Sequence, residues 1–128
     1  MDKVVHFEIP VDDEERAKEF FGAVFDWDLN TVDMGNGITY TTVGTVDVDD
    51  DRMPKEAGAI NGGLMRRQGD PSAPVITVGV DSIDDSLKKV EAGGGSVVTP
   101  RTPIPGMGAF AYFKDSEGNT LGLWETTE

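Results

Sequence analysis

His6 is the only histidine in the chain, and it stands two residues before Glu8 in the alternating run Val4 to Ile9. Side chains along a strand point to opposite faces in turn. If Val5, Phe7 and Ile9 face a packed helix, then Val4, His6 and Glu8 face the other way. An imidazole and a carboxylate on one face offer a general base, a weak metal ligand or a hydrogen-bonding contact for a polar ligand. The same pattern also suits a half-buried structural histidine. A direct pairing of His6 with Glu8 would favour the imidazolium form.

The far end of the chain supplies apolar partners. Thr120, Gly122 and Trp124 share one face of a strand, where the glycine leaves room for a ligand or a neighbouring element and the indole gives a flat wall. Val75 opens another strand-like run, Val75 to Val80. Met107, in the segment Pro103 to Gly108, is a soft apolar contact able to cap a cleft. Tyr40, Trp27 and Tyr112 add aromatic surface whose facing the pattern does not fix.

Other chemistries find little support. The chain has no cysteine, so disulfides, thiolate ligands and cysteine nucleophiles are excluded. Its serines lack a nucleophile elbow, and neither Gly62-Gly63 nor Gly93 to Gly95 carries a phosphate-binding fingerprint. A net charge of −13 opposes nucleic-acid and anionic-membrane partners. Of the 24 acidic residues, 15 precede Met65, many of them in Asp12 to Glu15 and Asp47 to Asp51. Such a surface suits a salt-rich cytoplasm, where like-charge repulsion is screened, and equally an ordinary acidic protein. No run is apolar enough to span a bilayer, and the first residues lack a secretory pattern, so the expectation is a soluble, cytoplasmic protein.

The elements that must position these residues come in two similar passes. Val4 to Ile9 leads through the acidic residues Asp12 to Glu15 into a helical stripe of Ala17, Phe20, Phe21 and Val24. Val75 to Val80 leads through Ser82 to Asp85 into the stripe Ile83, Leu87 and Val90. Each helix is followed by Gly-containing strands, and Pro10 and Pro100 read as strand ends. The expected organisation is one domain of about residues 1–128, with a first module over about 1–66, a linker over about 67–74 and a second module over about 75–128. Asp47 to Glu56 reads as an acidic loop covering one mouth of the sheet.

On His6 with Val11 to Ala17, the Phe20-Phe21 and Phe25-Asp26-Trp27 region, Pro103 to Gly108 and Tyr112 to Asn119, the chain resembles the vicinal-oxygen-chelate superfamily. That superfamily includes glyoxalase I, bleomycin-resistance proteins and extradiol dioxygenases. The resemblance implies an α+β fold of two βαβββ modules, forming a curved mixed sheet around a cleft with the helices outside. It also implies metal ligands on the first and last strands of the modules in the metal-dependent members. Here His6 aligns with Val75, an alkyl side chain, and the expected final carboxylate aligns with Gly122. Glu125, three residues on, falls on the opposite face.

The leading expectation is therefore a metal-free, small-molecule-binding protein, with ligand contacts among His6, Glu8, Val75, Met107, Thr120, Gly122 and Trp124. No cofactor is expected, and no catalytic residue beyond His6 suggests itself. One alternative is a metal-dependent lyase, isomerase or dioxygenase with a divalent ion at His6. Another is a structural or partner-binding protein with a closed cleft. The resemblance also implies a homodimer.

Overall fold

A computed structural model describes residues 1–126 and divides the chain into two compact units, residues 6–74 and residues 1–5 with 75–128. The first unit contains most of β1 (Lys3–Val11), then α1 (Glu14–Phe25), β2 (Asp28–Asp33), β3 (Thr39–Gly44) and β4 (Gly62–Arg66). Its strands lie in the order β2-β3-β4-β1, with β1 parallel to β4 and the other pairs antiparallel. The second unit contains β5 (Val75–Gly79), α2 (Ile83–Ala92), β6 (Ser96–Ile104), β7 (Gly108–Lys114) and β8 (Thr120–Thr126). Here the order is β6-β7-β8-β5, with β5 parallel to β8. The repeat read in the sequence is thus a repeat of topology, and the fold is α+β, built from two βαβββ modules. Among the described residues, no helix is long and apolar enough to cross a membrane.

Both helices start as their sequences dictate. Asp13 caps α1 by accepting from the Arg16 amide at 3.0 Å, and Ser82 caps α2 by accepting from the Asp85 amide at 3.2 Å. Carboxylates in each first turn, Glu14-Glu15 and Asp84-Asp85, meet the positive end of the helix dipole. Ile83 and Leu87 bury the inner stripe of α2 against Ala109, Ala111 and Leu123. In the first unit, Ala17 and Phe21 pack on Val11, Val43 and Leu64, together with Phe7, Ile9, Trp27 and Leu29.

Three local expectations are corrected. The stripe of α1 is only half buried: Phe20 and Val24 remain 57% and 54% exposed, because the contact with the sheet runs along Ala17 and Phe21. β1 does not stop at Pro10 but runs to Val11. A parallel ladder engages alternate residues, and Val11 is the one that bonds toward β4, accepting from the Arg67 amide at 2.9 Å, so the missing N–H of Pro10 costs that ladder nothing. Likewise β6 continues through Pro100 and Pro103 to Ile104, so the first part of the segment Pro103 to Gly108 is strand. It stands at the end of its strand order, and its pairing with β7 shifts register between Val97 and Thr99 and again between Thr99 and Thr102. Edge strands and bulges are where a residue without an N–H fits.

Candidate functional site

In the first unit, α1 decides which residues face away from it. Glu14 on α1 accepts hydrogen bonds from Thr39 at 2.6 Å and Thr41 at 3.0 Å, so these two residues of β3 point toward the helix. Tyr40, between them, must point the other way. The same alternation sends Phe7 and Ile9 into the helix-side core and leaves His6 and Glu8 on the opposite face, as the sequence implied. Tyr40 then crosses β4 to reach them. Its hydroxyl lies 3.1 Å from His6 Nε2 and is hydrogen bonded to Glu8.

Gly63 makes this crossing possible. It pairs with Glu8 on one side and Thr42 on the other, and a Cβ on Gly63 would stand 1.8 Å from the Tyr40 hydroxyl oxygen. Gly62 serves the other face, where a Cβ would fall 2.4 Å from the Phe7 carbonyl oxygen. The Gly62-Gly63 pair therefore lets one aromatic ring close on each side of β4.

Burial and hydrogen bonding set the protonation states. Tyr40 is pushed far above its ordinary 10.0 by burial, then by the charge of Glu8 and the hydrogen bond to it, so the phenol keeps its proton. Burial lowers His6 below its ordinary 6.5, which holds the imidazole neutral at neutral pH. The Tyr40 hydroxyl bonds to both His6 and Glu8 and so joins the two groups.

Beside this cluster opens a concavity of about 1160 Å³ on the same unit. His6, Asn30 and Thr42 contribute to its lining, with Val46, Val48, Arg52 and Lys55 from the segment 45–61. That segment is held at its base by Asn61, whose Oδ1 accepts from the Thr45 amide at 2.7 Å and the Val46 amide at 3.2 Å. Its tip is a tight hairpin in which Asp49 accepts from the Asp51 and Met53 amides at 2.9 and 3.0 Å and Val48 bridges Pro54. The acidic loop read in the sequence is therefore a wall of the concavity. Asn30, Thr42, Asn61 and the joining role of Tyr40 were not singled out by sequence. The available signal was the glycine pair in a strand, a mark of close approach.

The remaining sequence candidates lie in the second unit. Val75 is buried, and Thr77 pairs with Gly122 across the β5–β8 ladder. A Cβ on Gly122 would stand 2.7 Å from Thr77 Oγ1, so the room left by this glycine is taken by a threonine side chain. Trp124 alternates with Leu123, which belongs to the α2-side core, and lays its ring against Gly108. Thr120 accepts from Lys114 Nζ at 3.3 Å, while Met107 is exposed in the turn between β6 and β7. Of the seven candidates, only His6 lines the concavity described above.

These residues do not fit the divalent metal of metal-dependent relatives. Val75 and Gly122 offer no side-chain donor atom. Glu125 pairs with Arg101 at 2.6 Å, and its side chain shares the face of Leu123, which packs on α2. The Nε2 of His6 is engaged by Tyr40. Among the described residues, no group of three or more His, Asp or Glu side chains is arranged to hold a metal ion.

Comparison with known proteins agrees with this architecture. Residues 3–44 match the family model described as bleomycin resistance protein-like N-terminal. The putative glyoxylase CFP32 of Mycobacterium bovis and of Mycobacterium tuberculosis is 29% identical over 115 residues, covering 88% of this chain and 41% of that protein. The chain thus spans about two fifths of the length of the curated relatives it matches. Among solved structures, the hypothetical protein BH1468 from Bacillus halodurans superposes with a TM-score of 0.69 at 17% identity, over 99% of this chain and 96% of that one. Streptomyces coelicolor methylmalonyl-CoA epimerase in complex with 2-nitronate-propionyl-CoA gives 0.66 at 16% identity, over 98% of each chain. The repeated βαβββ topology and these matches together support the likeness to the vicinal-oxygen-chelate superfamily.

Proposed function

We propose that the protein binds a small, partly apolar molecule in the concavity of its first unit, without a metal held by its own side chains. The observation that carries this reading is the concavity of about 1160 Å³ with a neutral imidazole in its lining, which leaves room for a small molecule. His6, Asn30 and Thr42 supply the polar contacts that orient the ligand, and Val46 and Val48 supply apolar surface. The family match to bleomycin-resistance-like proteins supports sequestration as the role, and the resemblance to a putative glyoxylase keeps catalysis as the competing one.

Charge narrows the ligand class. Asp26, Asp28, Asp47 and Glu56 line the concavity against Arg52 and Lys55, and the whole chain carries −13. A potential of that sign repels a polyanion such as a CoA ester and favours a neutral or cationic molecule. The ligand therefore differs in charge from that of the epimerase neighbour.

A fragment screen by amide NMR, run on the protein in EDTA, tests the proposal. Neutral and cationic fragments are expected to shift the amides of His6, Asn30, Thr42 and residues 45–56 together. His6→Ala is expected to weaken those hits about tenfold, the loss of one buried hydrogen bond. Hits confined to other surfaces, or hits that need added divalent metal, would overturn the reading.

A further inference from the structure

The link between His6, Tyr40 and Glu8 carries more than a contact. A phenol has one proton to give, and a carboxylate accepts without donating. Tyr40 is hydrogen bonded to both Glu8 and His6 Nε2. If its proton goes to Glu8, its oxygen can only accept from His6, and Nε2 must carry a hydrogen. In a neutral imidazole with a protonated Nε2, the remaining nitrogen, Nδ1, is a bare acceptor.

We propose that Tyr40, seated over Gly63 and bonded to Glu8, fixes His6 in the Nε2–H tautomer, so that Nδ1 recognises a ligand through a hydrogen-bond donor such as a hydroxyl, an amide N–H or an ammonium group. Tyr40 and Glu8 are positioning residues in this scheme, since they act through His6. Binding of a donor ligand rests on the function proposed above; the tautomer belongs to the free protein and does not.

Geometry gives the arrangement its specificity. The ring of Tyr40 reaches His6 only because β4 presents a glycine beneath it, with no space for even a methyl group. Swapping the tautomer would leave Nε2 as an acceptor facing a phenol oxygen whose proton is already committed, two lone pairs opposed in a part-buried site. Burial also keeps His6 from resolving the conflict by taking a second proton. The titratable groups around the imidazole are Glu8 on its own strand and Tyr40 on β3, with Asp26, Asp28, Asp47, Arg52, Lys55 and Glu56 lining the concavity beside it.

Because His6 is the only histidine, its two ring nitrogens can be read without assignment ambiguity. Long-range proton–nitrogen NMR of the free, uniformly labelled protein near neutral pH is expected to show one pyrrole-type nitrogen at Nε2 and one pyridine-type nitrogen at Nδ1. Tyr40→Phe keeps the ring over Gly63 and removes the hydroxyl, and it should shift the population toward a mixture of tautomers. An Nδ1–H tautomer in the unaltered protein would overturn the proposal, as would an Nε2–H tautomer that Tyr40→Phe leaves untouched. For the ligand, N-methylated or O-methylated versions of fragments that shift His6 should bind about tenfold more weakly than their parents, one donor lost. If the methylated fragments bind equally well, the donor requirement fails while binding in the concavity stands. If no fragment reaches the concavity, the binding proposal fails and the tautomer measurement still decides the role of Tyr40.

Discussion

Burial keeps His6 neutral in the folded chain, which ties the stability of the first unit to pH in a defined direction. Its folded pKa lies below the ordinary 6.5. As pH falls past that value the unfolded chain binds a proton that the native imidazole still refuses, so acid favours unfolding. The contribution of neutral His6 is thus complete above about pH 6.5 and is lost as pH falls through the window between the unfolded and folded values. Urea unfolding of the intact protein is expected to show a lower midpoint at about pH 5 than at about pH 7.5. His6→Gln, which offers an amide N–H to Tyr40 and cannot titrate there, should flatten that difference; an unchanged difference would assign the acid sensitivity to carboxylates instead. The facing of His6 and Glu8 was legible from strand alternation alone. The role of Tyr40 was not, because it depends on which residue of β4 lies beneath the ring, and register between strands distant in sequence is set by tertiary pairing.

At the scale of elements, the sequence was clearest where local chemistry decides and weakest where position in a sheet decides. Asp13 and Ser82 cap their helices as residue type predicts, and Gly35-Asn36-Gly37 turns with positive φ at all three positions. Pro10 and Pro100 look like strand ends, yet both lie inside strands, because only the surrounding ladder tells whether a particular N–H is needed. The segment 45–61 is a further case. Its acidic, Pro-containing composition reads as loop, while its shape comes from Asn61, which fastens the Thr45–Val46 backbone to the start of β4. Asn61→Ala removes several part-buried hydrogen bonds, among them the one from Thr45 Oγ1 to Asn61 Oδ1. It is expected to cost about 1–3 kcal/mol. Hydrogen exchange should then quicken at the Thr45 and Val46 amides and through the hairpin at Asp49 to Met53. Unchanged protection there would mean that the hairpin holds itself and that Asn61 is dispensable.

Across the whole molecule, the strongest physical signal is the charge of −13 on 128 residues. Acidic residues outnumber basic ones 24 to 11, so most carboxylates have no cation to pair with; salt bridges among the described residues include Lys18–Glu15, Arg67–Asp12 and Arg101–Glu125, and of these three only the last has both partners largely shielded from solvent. Most carboxylates therefore repel one another through solvent, a force that acts over roughly 10 Å at about 0.1 M salt and roughly 3 Å at about 1 M. Compacting such a chain costs electrostatic work that salt relieves, so the folded state should gain stability between those concentrations. Sodium chloride also strengthens apolar burial in any protein, and a charge-reduced variant separates the two effects. Asp2→Lys, Glu19→Lys, Asp50→Lys and Glu91→Lys all change exposed side chains and leave the caps, the salt bridges above and the His6 cluster intact. If self-repulsion governs the response, the thermal midpoint of the natural sequence should rise more steeply with salt than that of the variant. Parallel slopes would show that charge density is not what salt acts on, and would remove the physical reason for connecting this acidic surface with a salt-rich environment.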